Sequence, residues 1–161
     1  MINKYYSNIW QLFLDVADNN LDSISISYSN QNYSFAETKS RTIEIASVLK
    51  NTGVSKGDVV GIFHDKSFNG FCLMIACLSI GAPYVNLDSK TPTERFRKII
   101  KTCNPKLIIS FLDKELDHLN EEEFHISRLH NLNTSSDVIH FPTVSGNDAA
   151  YLMFTSGSTG V

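Results

Sequence analysis

Hydrophobic and polar positions along this chain follow helical and strand periods in turn, and each period predicts an element. Within Tyr5–Asn19 the apolar positions recur every three or four residues, which predicts an amphipathic helix whose apolar face lies toward the core. Those positions are Ile9, Leu12, Phe13 and Val16. The run from Ile24 to Tyr28 alternates apolar residues with serine, the pattern of a half-buried strand, and a turn is predicted at residues 30–32.

A second helix is predicted from the spacing of Ser34 and Glu37. A serine followed three residues later by a glutamate forms a capping box, in which the hydroxyl accepts from a helix amide and the carboxylate accepts from the N–H of the serine. The helical period continues through Leu49, and Gly53 is placed to end the helix in a left-handed conformation.

Short apolar runs bounded by turn residues predict the strands of the main sheet. They are Val59–Phe63, Tyr84–Leu87, Lys106–Ser110 and Ala150–Phe154. A nearly all-apolar helix at Phe68–Ile80 separates the first two strands, and a helix opened by the capping signal Thr91-Pro92-Thr93-Glu94 separates the second and third. Right-handed crossovers place such strands side by side, so the sequence predicts a three-layer α/β fold with a mostly parallel, doubly wound sheet.

The composition predicts one folded domain and argues against nucleic acid and membranes as binding partners. The 161 residues are 42% hydrophobic, with a formal net charge of -3 spread over interspersed signs. That charge pattern gives no basic surface for nucleic acid or for a membrane, and no apolar run reaches the ~20 residues that cross a bilayer. Because the first residues lack a signal-peptide pattern, a cytoplasmic location is expected. The stretch from Glu115 to Asp148 is polar and irregular, with one weak strand predicted near Phe124–Leu129.

Neither the cysteines nor the histidines form a recognisable metal or redox motif. Cys72, Cys77 and Cys103 lie in apolar helical surroundings without a C-x-x-C pair, so they are predicted to be inert, buried thiols. The five histidines show neither H-E-x-x-H spacing nor a cysteine partner. No metal site is therefore predicted.

The candidate chemistry lies in a small, hydroxyl-rich loop directly after the last strand. Its glycines allow backbone conformations in which successive N–H groups point inward as a cradle for phosphate oxygens, and its hydroxyls add donors. The predicted ATP phosphate-binding residues are Thr155, Ser156, Gly157, Ser158, Thr159 and Gly160. A loop of this composition can also be an ordinary turn. Two glycines without a following lysine do not fit the Walker pattern, and their spacing does not fit the dinucleotide-binding pattern.

The loop resembles the signature of the AMP-forming adenylating enzymes, Y-x-x-[FY]-T-S-G-[ST]-T-G-x-P-K-G. Residues 151–160 fit it, Val161 takes the variable position, and the terminal Pro-Lys-Gly lies beyond the chain. Two earlier blocks agree in order. Residues 34–38 resemble the motif [TS]-[YF]-x-E-L, with Thr38 where leucine is usual. Residues 78–88 resemble L-K-A-G-x-A-Y-V-P-L-D, with Asn86 in place of the proline, and residues 92–95 continue as the P-x-E-R of amino-acid-activating members.

The resemblance implies the N-terminal part of the large domain of an adenylating enzyme, cut inside its phosphate-binding loop, so that residues 1–161 form one truncated subdomain. In such enzymes a carboxylate attacks ATP to give an acyl-AMP that a thiol captures. The form of the second motif favours an amino acid as the acid that is activated. The resemblance implies ATP and Mg²⁺ for the parent enzyme and a phosphopantetheine carrier protein as its partner. It places every catalytic residue beyond Val161, so this chain is expected to be inactive and to bind no cofactor tightly.

Two other interpretations stay open from the sequence alone. The chain could be a natural truncated protein that acts as an interaction module and pairs with a separate C-terminal piece. It could also be an unrelated doubly wound phosphate-binding protein, which would need the loop to lead into a helix N-terminus. An in-frame continuation beginning Pro-Lys-Gly would favour the adenylating enzyme. Glu37, Gly81, Tyr84, Asp88 and Arg95 are interpreted as capping, turn, packing and surface residues, and the acid that is activated cannot be told.

Overall fold

The structure, a computed structural model, describes residues 5–63, 66–88, 90–110, 126–128 and 140–154. Helices and strands alternate along it, as the two periods in the sequence predict. In chain order the elements are α1 (Ile9–Asn19), β1 (Ile24–Tyr28), β2 (Gln31–Ser34), α2 (Phe35–Asn51), β3 (Val60–Phe63), α3 (Phe68–Ile80), β4 (Tyr84–Leu87), α4 (Thr93–Cys103), β5 (Leu107–Ser110), β6 (Ile126–Arg128) and β7 (Tyr151–Leu152).

A five-stranded sheet organises the molecule, with the strand order β6-β5-β3-β4-β7. All four neighbouring pairs run parallel. The prediction of four strands in one mostly parallel sheet is confirmed, and the weak strand predicted near residues 124–129 forms the edge strand β6. The chain passes from β3 to β4 on one side and then returns past β3 to β5, which is the strand order of a doubly wound sheet.

Two apolar clusters cover the two faces of this sheet, which gives the predicted three layers. On one face α2 and α3 pack against alternate sheet residues such as Ile62 and Ile109. On the other face Phe96 and Cys103 of α4 pack against Phe63 and Ile108, the residues next to Ile62 and Ile109 in sequence. Successive strand residues point to opposite faces of the sheet. A strand that is apolar at every position is therefore one whose two faces are both covered by helices.

The prediction for the apolar face of α1 is wrong. Trp10 and Ala17 are the buried residues of this helix, whereas Ile9, Leu12 and Val16 are 54%, 43% and 37% exposed. The Trp10 ring packs against that of Phe141 at 5.2 Å between centroids. That contact joins positions far apart in sequence, so a local period could not reveal which of two apolar stripes would be covered.

The segment before α2 also differs from its prediction. Residues 31–34 form β2, which pairs antiparallel with β1, so the predicted turn at 30–32 is wrong and the turn lies at Ser29 and Asn30, both with positive φ. The capping box itself is confirmed. The Ser34 hydroxyl accepts from the Glu37 N–H at 3.2 Å, and the Glu37 carboxylate accepts from the Ser34 N–H at 2.7 Å.

The predicted helix ends are confirmed, and one helix start is not. Gly53 and Gly81 have φ values of 85° and 69°, so both take the left-handed conformation that ends a helix. Helix α4 has Pro92 rather than Thr91 as its N-cap, with no side-chain capping bond. The Thr91 N–H donates to the Asp88 carbonyl at 3.0 Å, which places Thr91 in the preceding turn. Within the described residues, no helix has both the length and the apolar character needed to span a bilayer.

Candidate functional site

The second and third sequence blocks lie side by side in the sheet. Strand β4 carries the block around Tyr84, and β7 carries the run that enters the glycine-rich loop. Their register pairs Tyr84 with Tyr151 and Val85 with Leu152, and the Tyr84 N–H donates to the Ala150 carbonyl at 3.3 Å. Parallel strands end at the same edge, so the two blocks deliver their following segments to one place.

Asn86 occupies a position where a proline would change the pairing of β4. Along a parallel strand, alternate residues direct their backbone groups to the same neighbour, and Tyr84 donates toward β7. The N–H of Asn86 therefore also points toward the β7 side. A proline at this position has no N–H to offer. Asn86 in place of the usual proline thus adds one backbone N–H donor. This donor lies near the carboxyl end of β4, the end that lines the pocket.

An open pocket of about 510 Å³ lies at the carboxyl ends of β4 and β7. Its lining combines aromatic, aliphatic and charged side chains from β4, the turn that follows it, the start of α4, and β7. The polar and aromatic members are Tyr84, Asn86, Asp88, Lys90, Arg95, Tyr151 and Phe154. In open α/β sheets ligands bind outside the carboxyl ends of the strands, which makes this pocket the candidate site.

Two tyrosines, Tyr84 and Tyr151, line the pocket from β4 and β7. The rings of Tyr84 and Tyr151 lie 6.0 Å apart between centroids. Burial raises the pKa of Tyr84, and the neighbouring Cys77 and Tyr151 act in the same direction. The Tyr84 hydroxyl therefore stays protonated at neutral pH and can donate a hydrogen bond.

The charged lining residues are two cations and one carboxylate, namely Lys90, Arg95 and Asp88. The Asp88 carboxylate accepts from the Lys90 N–H at 2.8 Å, which confirms the interpretation of Asp88 as a turn residue. Among the ion pairs of the described residues, none involves Lys90 or Arg95. The pocket therefore carries positive charge that the described part of the chain leaves available to an anion.

The predicted phosphate-binding residues, Thr155, Ser156, Gly157, Ser158, Thr159 and Gly160, lie outside the described residues. The structure describes the strand that leads to them and shows that Phe154, the residue before the loop, lines the pocket. Sequence reasoning treated Tyr84 and Arg95 as packing and surface residues and so missed the pocket. The available signal was the buried parallel strand that begins at Tyr84 and leads to α4, which carries Arg95, because ligands bind at the carboxyl ends of such strands.

The first sequence block lies away from this pocket and has a structural role. Ser34 and Glu37 cap α2, and Thr38 is 1% exposed. The Thr38 hydroxyl donates to the Ser34 carbonyl at 2.8 Å and pairs with the Ser25 hydroxyl. These bonds explain how threonine is accommodated where leucine is usual, because a buried hydroxyl is tolerated when it is hydrogen-bonded.

A family model described as AMP-binding enzyme matches residues 13–161. The chain belongs to this family, the AMP-forming adenylating enzymes. Malpibaldin synthetase of Mortierella alpina is 33% identical over 156 residues, which are 94% of this chain and 3% of that protein. The chain spans only 3–4% of the length of the first curated relatives that it matches. It corresponds to a fragment of an adenylation domain of nonribosomal peptide synthetases.

Solved structures of this family share the fold. The N-terminal subdomain of Klebsiella oxytoca NpsA superposes with a TM-score of 0.82 at 22% identity, over 96% of this chain and 40% of that one. PA1221, an NRPS protein containing adenylation and PCP domains, gives a TM-score of 0.84 at 17% identity, over 97% of this chain and 31% of that one. The parallel sheet with its flanking helices is therefore that of the N-terminal subdomain. Family membership also removes the interpretation of an unrelated phosphate-binding protein.

Proposed function

We propose that this chain forms the phosphate-binding part of an enzyme that activates a carboxylic acid, and more specifically an amino acid, as an acyl-AMP. The carboxylate attacks the α-phosphorus of ATP, the bond to the β-phosphate oxygen breaks, and pyrophosphate leaves with that electron pair. The observation that carries the proposal is the placement of β7 beside β4, which brings the strand entering the glycine-rich loop to the cationic pocket.

In this proposal residues 155–160 hold the β- and γ-phosphates of ATP. Small residues let the backbone N–H groups approach the phosphate oxygens closely, and the hydroxyls of Ser156 and Thr159 add further donors. Fixed donors stabilise charge that develops on phosphate oxygens without reorganising during the reaction. Within the described residues, no group of three or more histidine, cysteine or acidic side chains is arranged to hold a metal ion.

The proposal gives the activated acid a thiol acceptor on a carrier protein. A phosphopantetheine thiol would attack the acyl-AMP carbonyl. AMP would leave, and the acyl group would be bound to the thiol as a thioester. The presence of adenylation and PCP domains together in PA1221 supports this partner. The remaining part of the adenylation domain would supply the catalytic residues and the acid-binding pocket, and the reaction would take place in the cytoplasm. The 161 residues alone would hold no cofactor tightly.

The test is amino-acid-dependent exchange of pyrophosphate into ATP by the complete protein that contains this segment. We expect exchange with one amino acid or a small group of them. We expect Ser156→Ala to lower it by about tenfold or more, because a charge-assisted hydrogen bond to phosphate contributes roughly 1.5–3 kcal/mol. Ser27→Ala, in the exposed part of β1, is the matched control and should leave exchange unchanged.

Absence of exchange with every amino acid and aryl acid tried would overturn this proposal. The interaction-module interpretation would then be favoured. The gene provides an independent observation, because an in-frame continuation beginning Pro-Lys-Gly completes the loop signature, and a stop codon after Val161 contradicts it.

A further inference from the structure

We propose that Lys90 and Arg95 bind the pyrophosphate end of ATP and the pyrophosphate that leaves it. This inference rests on the proposed function and assigns it two residues outside the glycine-rich loop. Both side chains line the pocket that Phe154 also lines, and Phe154 directly precedes the predicted phosphate-binding residues. The two cations and the strand that enters the loop therefore reach the same pocket from neighbouring segments.

The backbone around the pocket sets the positions of the two cations. Lys90 follows β4 in a turn held by the hydrogen bond from its N–H to the Asp88 carboxylate. Arg95 lies in the first turns of α4, where the next residue, Phe96, is fully buried against Phe63 with ring centroids 5.6 Å apart. The buried Phe96 anchors the helix, so the exposed guanidinium of Arg95 is presented from a fixed element.

The two cations of the pocket favour an anion that offers several oxygens. A single carboxylate from an acid substrate needs one cationic partner, whereas a terminal phosphate carries roughly -1.5 to -2 at neutral pH. A guanidinium provides a planar fork of donors for two phosphate oxygens, and an ammonium provides a compact point charge beside it. Among the described lining residues Asp88 is acidic, and its carboxylate is held in the turn by the Lys90 N–H.

The neighbouring positions on α4 show that Arg95 is distinguished from the other cations of that helix. Arg97 forms an ion pair with Glu94 at 2.8 Å and does not line the pocket. Lys98 and Lys101 lie on the same helix and also lie outside the lining. One helix thus offers both the proposed phosphate contact and a matched control of the same residue type.

The experiment compares Arg95→Gln, Lys90→Gln and the double variant of the complete protein with Arg97→Gln as the control. We expect each single variant to raise the KM for ATP and for pyrophosphate in the exchange reaction by about tenfold, with the KM for the acid unchanged. Arg95→Lys keeps the charge and should recover part of the loss. Titration calorimetry with inorganic pyrophosphate gives a readout that needs no catalysis, and its Kd should rise in the same variants and with added salt.

Several results separate failure of this inference from failure of the proposed function. If exchange proceeds and neither cation variant changes the KM for ATP or the Kd for pyrophosphate, the inference is overturned and the proposed function stands. A rise confined to the KM for the acid also overturns it, because the cations would then bind the acid. If the complete protein shows no exchange, loss of pyrophosphate binding in Arg95→Gln but not in Arg97→Gln still supports the cationic subsite.

Discussion

Single residues show how this chain keeps the fold of its family while departing from the usual motif. Thr38 puts a hydroxyl into a position where leucine is usual, and its partners are a helix carbonyl and the Ser25 hydroxyl on β1. The Ser25 Oγ also lies within hydrogen-bond distance of the Tyr33 and Ser34 carbonyls, at 3.3 and 3.2 Å. A small polar group thus joins β1, β2 and α2 where an apolar side chain would only pack.

Removing this hydroxyl should cost stability because it leaves buried partners unpaired. We expect Thr38→Val to lower the free energy of unfolding by about 1 kcal/mol, the usual net value of an intramolecular hydrogen bond. Urea unfolding measures it. Thr102→Val is the matched control, since the Thr102 hydroxyl also donates to the carbonyl four residues earlier, at 2.8 Å, but on an exposed surface. Equal losses in the two variants would show that burial of the Thr38 hydroxyl adds nothing beyond an exposed bond of the same kind.

The cysteines allow a test of burial by pH. All three are buried, and burial raises the pKa of the Cys72 thiol to about 11 and raises the pKa of Cys77 and Cys103 as well. A thiol whose pKa is higher in the folded state stays neutral at pH 8. Any stability this gives is present at neutral pH and falls as the pH rises above the unfolded-state pKa near 9.

We therefore expect the native thiols to react slowly with a thiol reagent at pH 8 and all three to react quickly in denaturant. Cys103 is 9% exposed and the other two are 0% exposed, so Cys103 should react first as the pH is raised. Mass spectrometry of alkylated peptides identifies the order. The Cys103→Ser variant should lose the first phase, and fast labelling of Cys77 in the native protein would contradict the packing around α3.

At the scale of elements, the sequence predicts well what local pattern determines. The four strand runs are apolar at nearly every position because helices cover both faces of the sheet, and the helix ends at Gly53 and Gly81 follow from left-handed conformations. Strand β2 was missed although its partner β1 is close in sequence, because residues 31–34 are polar and lack an apolar alternation. The buried face of α1 depends on a contact with the distant Phe141 and was predicted wrongly. The pocket was missed for the same reason, because it exists only when β7 pairs with β4.

The centre of the sheet has a close approach that a single methyl group should disturb. A Cβ added at Gly61 in β3 would lie 3.0 Å from Leu87 Cδ1 and 3.1 Å from Ile108 Cγ1. We expect Gly61→Ala to lower the free energy of unfolding by about 1–3 kcal/mol, the usual cost of overpacking a core. Gly146→Ala is the control, because its nearest contact would be the Ser7 carbonyl oxygen at an ordinary 3.8 Å.

Thermal or urea unfolding of the two variants gives the comparison. The Gly61→Ala protein should also show altered methyl resonances for Leu87 and Ile108, since these side chains must move to admit the new methyl group. Unchanged or raised stability would mean that the two neighbours repack without strain, and the packing of β3 against the side chains of β4 and β5 would then be looser than its distances indicate.

At the scale of the whole molecule, the 161 residues should not carry out adenylation by themselves. The chain covers 40% of the NpsA N-terminal subdomain, and the resemblance to the family places the loop lysine and all catalytic residues beyond Val161. We expect no exchange of pyrophosphate into ATP above background with any amino acid. The complete protein serves as the positive control. Exchange by the 161 residues alone would mean that groups within them replace the later catalytic residues.

Among the described strands, β7 forms an edge of the sheet that positions the pocket, and we expect the 161-residue chain to self-associate there. Strand β7 is the last strand in the sheet order, and Tyr151, Met153 and Phe154 are 54%, 75% and 36% exposed. An edge strand presents unpaired backbone groups that can pair with another chain, and exposed apolar side chains beside it favour the contact.

Sedimentation velocity should show a dimer or larger species whose share grows with protein concentration. Met153→Lys should weaken it, because a charge on an edge opposes pairing. Leu21→Lys, at an apolar position after α1 that is 45% exposed, should not. A monomer at every concentration, with the β7 amides protected from hydrogen exchange, would show that the edge is already satisfied within one chain.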